Sequence, residues 1–307
     1  MTAAAPDAPT NGLSGLHFLL ALAVVAVWGT NFVVIHVGLE HLPPLMFAAL
    51  RFILATLPWI FILKRPPAPW RDLASYGVLV GFGQFGLMYV AMRSDISPGL
   101  ASLVIQTQVF LTVGLAAVLA REKVRGFQFA ALAFALAGLV LIAMFGGQSA
   151  TPKGLVLVLL AALSWAASNI VVKRAGQVNM LAYVVWGSLF SAPPLIACSF
   201  ALEGWPAIAA GFRDADLVTW LAVIWQAVGN TLFGYAAWGW LLGRYPAASV
   251  TPMALLVPVF GMGSSALLLG EPLQSWKLIA AALVVAGLAI NMLWPLWTAR
   301  RARARLA

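Results

Sequence analysis

The chemistry open to this chain lies in uncharged amides and aromatic rings set inside long apolar runs. Asn31, Gln84, Gln108, Asn169, Gln226 and Asn230 each fall within such a run, with Thr30, Gln106, Thr107, Thr112, Ser164, Ser168 and Thr231 near them. Trp165 and Asn169 are four apart, as are Gln226 and Asn230, so each pair shares one face of a helix. A buried amide needs hydrogen-bond partners. Neighbouring helices can supply them, or water and solute in a central cavity can. The polar groups crowd into four or five runs and are nearly absent from the fifth, seventh and tenth, which favours the cavity for several of them. Trp165, Trp186, Trp225 and Tyr235 sit too deep for an interfacial aromatic belt. Rings with a few amides make an apolar pocket with polar anchors, suited to an amphiphilic organic solute more than to a bare ion. The expected solute-binding set is Asn31, Gln84, Gln108, Trp165, Asn169, Trp186, Gln226, Asn230 and Tyr235.

Arg51 is the one basic residue well inside a run. Placing Arg at the centre of a spanning helix costs about 2.5–3.5 kcal/mol on insertion scales, so something must offset it. Two uses are open: a contact to a solute carboxylate, or a fixed partner such as Asp95, Glu40 or freed backbone carbonyls. Pro258 interrupts the ninth run and is a candidate hinge; an ordinary proline kink is the plainer reading. Asp7, Glu40, Asp72, Asp95, Glu122, Glu203, Asp214, Asp216 and Glu271 all avoid the middle of a run, and His17, His36 and His41 lie near the ends of the first. No carboxylate pair, His/Cys cluster or Ser/His/Asp set can be assembled at depth, so enzymatic, metal-binding and cofactor-dependent roles are not expected. The letters Gly81-Phe-Gly-Gln-Phe-Gly86 match a dinucleotide-binding fingerprint, which needs a strand before it and a helix opening at it. Here they lie within an apolar helical run, and the glycines read as close-packing points between helices.

The elements that must position these groups are membrane spans. The chain has 307 residues, of which 63% are hydrophobic and 9% charged. A soluble domain carries about 25% charged residues, so lipid must be the outer solvent. The net charge of +9 does not mark a nucleic-acid partner, because the basic residues sit between apolar runs and not on one face. Ten spans are read, at roughly 14–36, 43–63, 73–92, 97–120, 126–145, 153–173, 179–202, 215–242, 247–269 and 276–296, each near the ~20 residues a helix needs to cross. Lys64, Arg65, Arg71, Arg121, Lys123, Arg125, Lys173, Arg174, Arg244, Arg300, Arg301, Arg303 and Arg305 fall in one set of gaps. Only Arg93, Lys153, Arg213 and Lys277 fall in the other. This bias places both termini in the cytoplasm, with 298–307 as a basic tail at the headgroups. The lone Cys198 excludes an internal disulfide.

The two halves repeat each other. Trp28-Gly-Thr-Asn31 matches Trp165-Ala-Ala-Ser168, and Tyr89-Val-Ala91 matches Tyr235-Ala-Ala237. Glu122 matches Glu271, and Ala137-Gly-Leu139 matches Ala286-Gly-Leu288. Each copy, 1–148 and 149–297, has five spans, an odd number, so the second enters the membrane from the other side. The fold expected is therefore all-α: a polytopic protein of ten transmembrane helices, two inverted five-helix repeats around a central cavity, a construction typical of secondary transporters. Read together with Leu50-Arg-Phe52, Leu255-Leu-Val-Pro-Val-Phe260 and Leu269-Gly-Glu271, these motifs resemble the EamA-type branch of the drug/metabolite transporter superfamily over nearly the whole chain. The resemblance implies a carrier of the bacterial inner membrane, most like exporters of aromatic and other neutral amino acids. It further implies that segments 1, 3, 4, 6, 8 and 9 surround the cavity. Ser188 stands where Arg51 aligns, so Arg51 is not duplicated. The function expected is export by alternating access without a carboxylate proton relay. A multidrug or nucleotide-sugar carrier on the same fold, or a channel, is the rival reading. A monomer is compatible with the pattern, and the oligomeric state is left open.

Overall fold

A computed structural model describes residues 13–119, 121, 124–176 and 178–304. Glu122 lies outside the described residues, as do Asp7, Lys123 and Arg305. Among the described residues nine helices are long and apolar enough to cross a membrane, and one apolar helix is shorter. In chain order they are α1 (Gly15–Gly38), α2 (Pro44–Thr56), α3 (Trp70–Ser94), α4 (Pro98–Leu119), α5 (Gly126–Phe145), α6 (Pro152–Ala175), α7 (Met180–Asp214), α8 (Leu217–Arg244), α9 (Thr251–Leu269) and α10 (Ser275–Ala304).

Three boundaries depart from the sequence reading. The second span, expected over 43–63, ends as a regular helix at Thr56 after 13 residues. Pro58 has no N–H, and its ring clashes with the carbonyl four residues earlier. Looser turns carry the chain on, with Ile60 N bonded to Thr56 O (2.9 Å) and Leu63 N to Trp59 O (2.8 Å). α7 runs past its expected end because Gly204, at φ 79°, starts a further helix to Asp214. α10 continues through Pro295 into the basic tail, to Ala304.

Helix pairing follows a two-fold pattern. α5 packs along α10, and α2 against α7; each is its own symmetry mate. α1 crosses α9 as α6 crosses α4, and α1 lies against α8 as α6 lies against α3. Glycines permit the close approaches. A Cβ at Gly138 would lie 2.7 Å from Val284, and one at Gly287 would lie 2.5 Å from the Ala131 carbonyl. The repeated Ala-Gly-Leu triplet is thus the α5–α10 crossing, as small residues at membrane interfaces allow. Gly81 meets Ser191 of α7, and Gly83 meets Ser164 of α6. Large apolar side chains such as Phe129, Met144, Leu278 and Ile279 face outward from α5 and α10, where lipid replaces water as the solvent.

The repeats also share their irregularities. α3 widens into π-helical turns over Val78–Gly86, and α8 does so over Trp225–Phe233. α4 tightens into a 3₁₀ turn at Ile105–Thr107, and α9 opens with one at Thr251–Leu256. Such breaks in the α-ladder free backbone groups and cluster at functional sites.

Candidate functional site

These irregular segments line one cavity of about 510 Å³. It is walled by α1, α3, α4, α6, α8 and α9, with Met180 of α7 and Leu288 and Met292 of α10 added. The α10 contribution was not expected. Seven of the nine expected side chains line it: Asn31, Gln84, Gln108, Trp165, Asn169, Asn230 and Tyr235. Gln84 and Asn230 share the offset that relates Tyr89 to Tyr235, so they are repeat equivalents, as are Trp28 and Trp165. Among the described residues no charged side chain lines the cavity.

Its polar groups fall into two kinds. One kind is fixed. Asn169 donates to Gln108 Oε1 (3.1 Å) and Thr112 Oγ1 (3.3 Å), tying α6 to α4. Trp28 Nε1 donates to the Asn230 carbonyl (3.3 Å), and Gln106 Nε2 reaches the Ala254 carbonyl (3.4 Å). The other kind is free. Asn31 Oδ1 and Gln84 Oε1 are buried and accept no hydrogen bond among the described residues. Such orphaned acceptors are costly and need explaining. Beside them Trp28 packs against Tyr235 (5.7 Å between centroids) and Trp238 (5.2 Å), forming an aromatic wall. Trp28 and Trp238 were missed as site residues. Trp28 was findable, since it is the repeat partner of Trp165.

Two expected binding residues lie elsewhere. Trp186 is not on the cavity; its Nε1 donates to the Leu63 carbonyl (3.0 Å), and its ring meets Trp70 edge-on at 5.9 Å. A buried indole N–H seeks an acceptor, and the turn after α2 offers one. Gln226 is fully buried away from the cavity, where Oε1 accepts from Arg51 Nη1 (3.0 Å) and from the Tyr89 hydroxyl (3.0 Å). Arg51 itself is fully buried and is not on the cavity wall. Its partners are neither Asp95 nor Glu40. Nε and Nη2 donate to Thr231 Oγ1 at 3.1 and 3.0 Å, Nη1 also approaches the Tyr89 hydroxyl (3.3 Å), and the guanidinium lies 3.7 Å from the Phe85 ring centroid. Pro258 stands in the first turn of the regular part of α9, directly after the 3₁₀ segment, and is buried.

The cavity runs from mid-depth toward one end of the bundle. Val172, Met180, Leu242, Thr251 and Met292, close to the helix ends there, still line it. The opposite end is stitched across the two halves. Glu203 of α7 accepts from the N–H groups of Leu45 and Met46 (2.6 and 3.2 Å), capping α2, whose first residue is proline. Carboxylates are favoured at such helix N-termini. Glu271 accepts from Gly99 N (3.0 Å), the Ser97 hydroxyl and Lys277 Nζ (2.9 Å), capping α4. Gly270, in the left-handed conformation at φ 66°, turns the chain back so that Glu271 can reach. Asp95 pairs with Lys153 (2.8 Å) and Thr151 (3.1 Å). The lysine bond, with help from the threonine hydroxyl, holds the Asp95 carboxyl below the usual range.

Comparison with known proteins agrees with this architecture. A family model described as the EamA-like transporter family matches residues 15–144 and again 152–293. A probable amino-acid metabolite efflux pump of Salmonella typhimurium is 44% identical, over 89% of this chain and 93% of that protein. A protein of the same description in Escherichia coli K12 is 41% identical, over 91% and 95%. A probable terminal-alkyne amino-acid exporter of Streptantibioticus cattleyicolor is 28% identical, over 90% and 92%. A solved crystal structure covers 92% of this chain and 98% of its own at a TM-score of 0.63 and 19% identity, a likeness of fold alone.

Proposed function

Since this chain belongs to the EamA-like transporter family, we propose that it exports neutral amino acids, aromatic ones included, or similar small amphiphilic metabolites by alternating access. The observation that carries this reading is the charge-free cavity of about 510 Å³, walled by aromatic rings and by Asn31 and Gln84, each of which keeps a buried carbonyl oxygen that no donor meets among the described residues. A solute ammonium supplies the missing donors, and Trp28, Trp165, Tyr235 and Trp238 receive an apolar side chain. The names of the relatives support the same class of cargo.

The bias of Lys and Arg supports an orientation in which both termini, and the end toward which the cavity runs, face the cytoplasm of a bacterial inner membrane. The conformation is then inward-facing, ready to load cytoplasmic solute. The cavity is built from one chain, so a monomer suffices. Among the described residues no carboxylate lines the cavity, so the cycle proposed here uses no proton relay through Asp or Glu. Export runs down the solute gradient or is coupled by another route. Proteoliposomes test both points. Labelled phenylalanine is expected to equilibrate and to show accelerated exchange against unlabelled phenylalanine. Uphill accumulation driven by a pH gradient alone would overturn the uncoupled reading, and absence of exchange for any neutral amino acid would overturn the cargo. A nucleotide-sugar carrier would need basic side chains on the cavity wall, and a cationic-drug carrier an acidic one. Neither is present among the described residues.

A further inference from the structure

Arg51 is a positive charge in the middle of the bundle whose hydrogen-bond partners are all neutral. They are Thr231, Gln226 and Tyr89, with Phe85 stacked on the guanidinium at 3.7 Å. Among the described residues it makes no ion pair. The nearest things to a counter-ion are dipoles and two ring faces, Phe85 and, at 5.3 Å, Phe52, which lower the cost of burial without cancelling the charge. Phe85 also lines the cavity. A solute touching that ring therefore lies on the order of 10 Å from the guanidinium, with protein and not water between them.

We propose that Arg51 is a specificity-determining charge placed one side-chain layer behind the cavity wall. Its field makes a cavity without charges of its own electropositive, so the site accepts solutes that carry a carboxylate, zwitterions and monoanions, and rejects net cations. This deepens the reading of the cavity as the solute site and rests on it. The arrangement differs from a direct carboxylate contact. A residue touching the solute would pin it and slow release, whereas a field through the wall discriminates by charge and leaves the solute free to move. At an effective dielectric near 20 a unit charge at that distance changes occupancy on the order of tenfold.

Gln226 offers a clean way to switch the field off. Its Oε1 already accepts from Arg51, and its Nε2 is buried with no partner. Gln226→Glu therefore loses no hydrogen bond, keeps the shape and adds the missing negative charge beside the guanidinium.

The test reads cavity potential directly. In a Cys198→Ser background, Val109→Cys places one thiol on the cavity wall, and the purified protein is labelled with anionic sulfonatoethyl and cationic trimethylammonioethyl methanethiosulfonate. The ratio of the two rates, normalised to free 2-mercaptoethanol, cancels the thiol's own reactivity. It is expected to favour the anionic reagent by about tenfold with Arg51 in place. It should persist in Arg51→Lys and fall to the free-thiol value in Gln226→Glu. A ratio at the free-thiol value in the starting protein, or one unmoved by Gln226→Glu, overturns the proposal. Loss of the ratio in Arg51→Lys together with its survival in Gln226→Glu would mark a purely structural staple. Equilibrium binding of phenylalanine and its cationic methyl ester is measured in parallel. If labelling shows the potential but neither compound binds, the amino-acid cargo falls and the charge filter stands.

Discussion

At the residue scale, the proposed function rests on two side-chain carbonyls and a set of rings. Asn31 and Gln84 are only 3% exposed, and each keeps an acceptor without a donor. Leaving a buried acceptor unmet costs about 1–3 kcal/mol, which a bound ammonium recovers. Asn31→Ala and Gln84→Ala should each weaken phenylalanine binding by roughly 5- to 100-fold, measured by calorimetry on the purified protein. Trp186→Phe should leave that affinity unchanged, since its N–H serves Leu63 and not the cavity. An unaltered affinity in both alanine variants would remove these groups from the site. Most of this set was legible as polar residues at depth, and the exceptions have physical causes. Gln226 and Asn230 share a face only on a regular α-helix. The π-helical turns over Trp225–Phe233 are wider, and it is Thr231, five residues on, whose hydroxyl bonds back to the Gln226 carbonyl (2.9 Å). Asn230 thus faces the cavity while Gln226 faces Arg51. No hydrophobic pattern announces such a turn.

At the scale of elements, the helices are held together by glycine contacts that leave no room for a side chain. A Cβ at Gly77 would sit 2.0 Å from the Gly187 carbonyl oxygen, a backbone atom that cannot turn aside, whereas one at Gly114 meets nothing within 4 Å. Gly77→Ala should therefore destabilise the protein by about 1–3 kcal/mol through overpacking, and Gly114→Ala should not. Thermal unfolding in detergent distinguishes them, and equal midpoints would show that α3 and α7 do not meet this closely at Gly77 and Gly187. The fingerprint-like glycines of α3 could be read from sequence as packing points because a helical run contradicted any strand before them. Which helices they meet could not be read, because that depends on rotation about the helix axis. The shortening of α2 was visible as Pro58. The apolar run on either side of it hides the break, because the chain continues to Leu63 in looser turns.

At the scale of the whole molecule, the two halves are similar in sequence but differ in what they enclose, and that difference defines the conformation. At one end the start of α4 packs on the end of α9, with Ser102 against Gly261. In the symmetry-related place, the start of α9 and the middle of α4, from Ile105 to Val109, stand on the cavity wall, joined by the Gln106–Ala254 contact. Interchanging the two arrangements would close the open end and open the closed one, the sense in which inverted repeats alternate access. The odd span count of each repeat made the symmetry legible from sequence, but not its breaking, which resides in contacts between distant helices. Asp95 contributes to the closed end. Its carboxyl is held below the usual range by Lys153 and Thr151, so its pairing is intact above the ordinary Asp value, near 4. It is lost only as pH falls through the lowered one. A cysteine placed at the closed end, its labelling rate normalised to a free thiol at each pH, should accordingly react no faster at pH 5 than at pH 8. Glu271 is the stronger lock. It joins α9 to the start of α4 and to Lys277, whose side chain is 0% exposed. Glu271→Gln leaves that buried ammonium unpaired, a change that typically costs about 3–5 kcal/mol. The form closed at this end bears the loss if the contact is absent from the form open there. With Ser102→Cys in a Cys198→Ser background, an impermeant maleimide added from outside should then react at least about tenfold faster in Glu271→Gln. A tenfold change in population needs only about 1.4 kcal/mol. Adding Lys277→Met removes the orphaned charge, so it should recover thermal stability while labelling stays fast, because the link between α9 and α4 is still missing. If labelling instead slows again as stability returns, the faster reaction came from a loosened fold, and Glu271 is no gate.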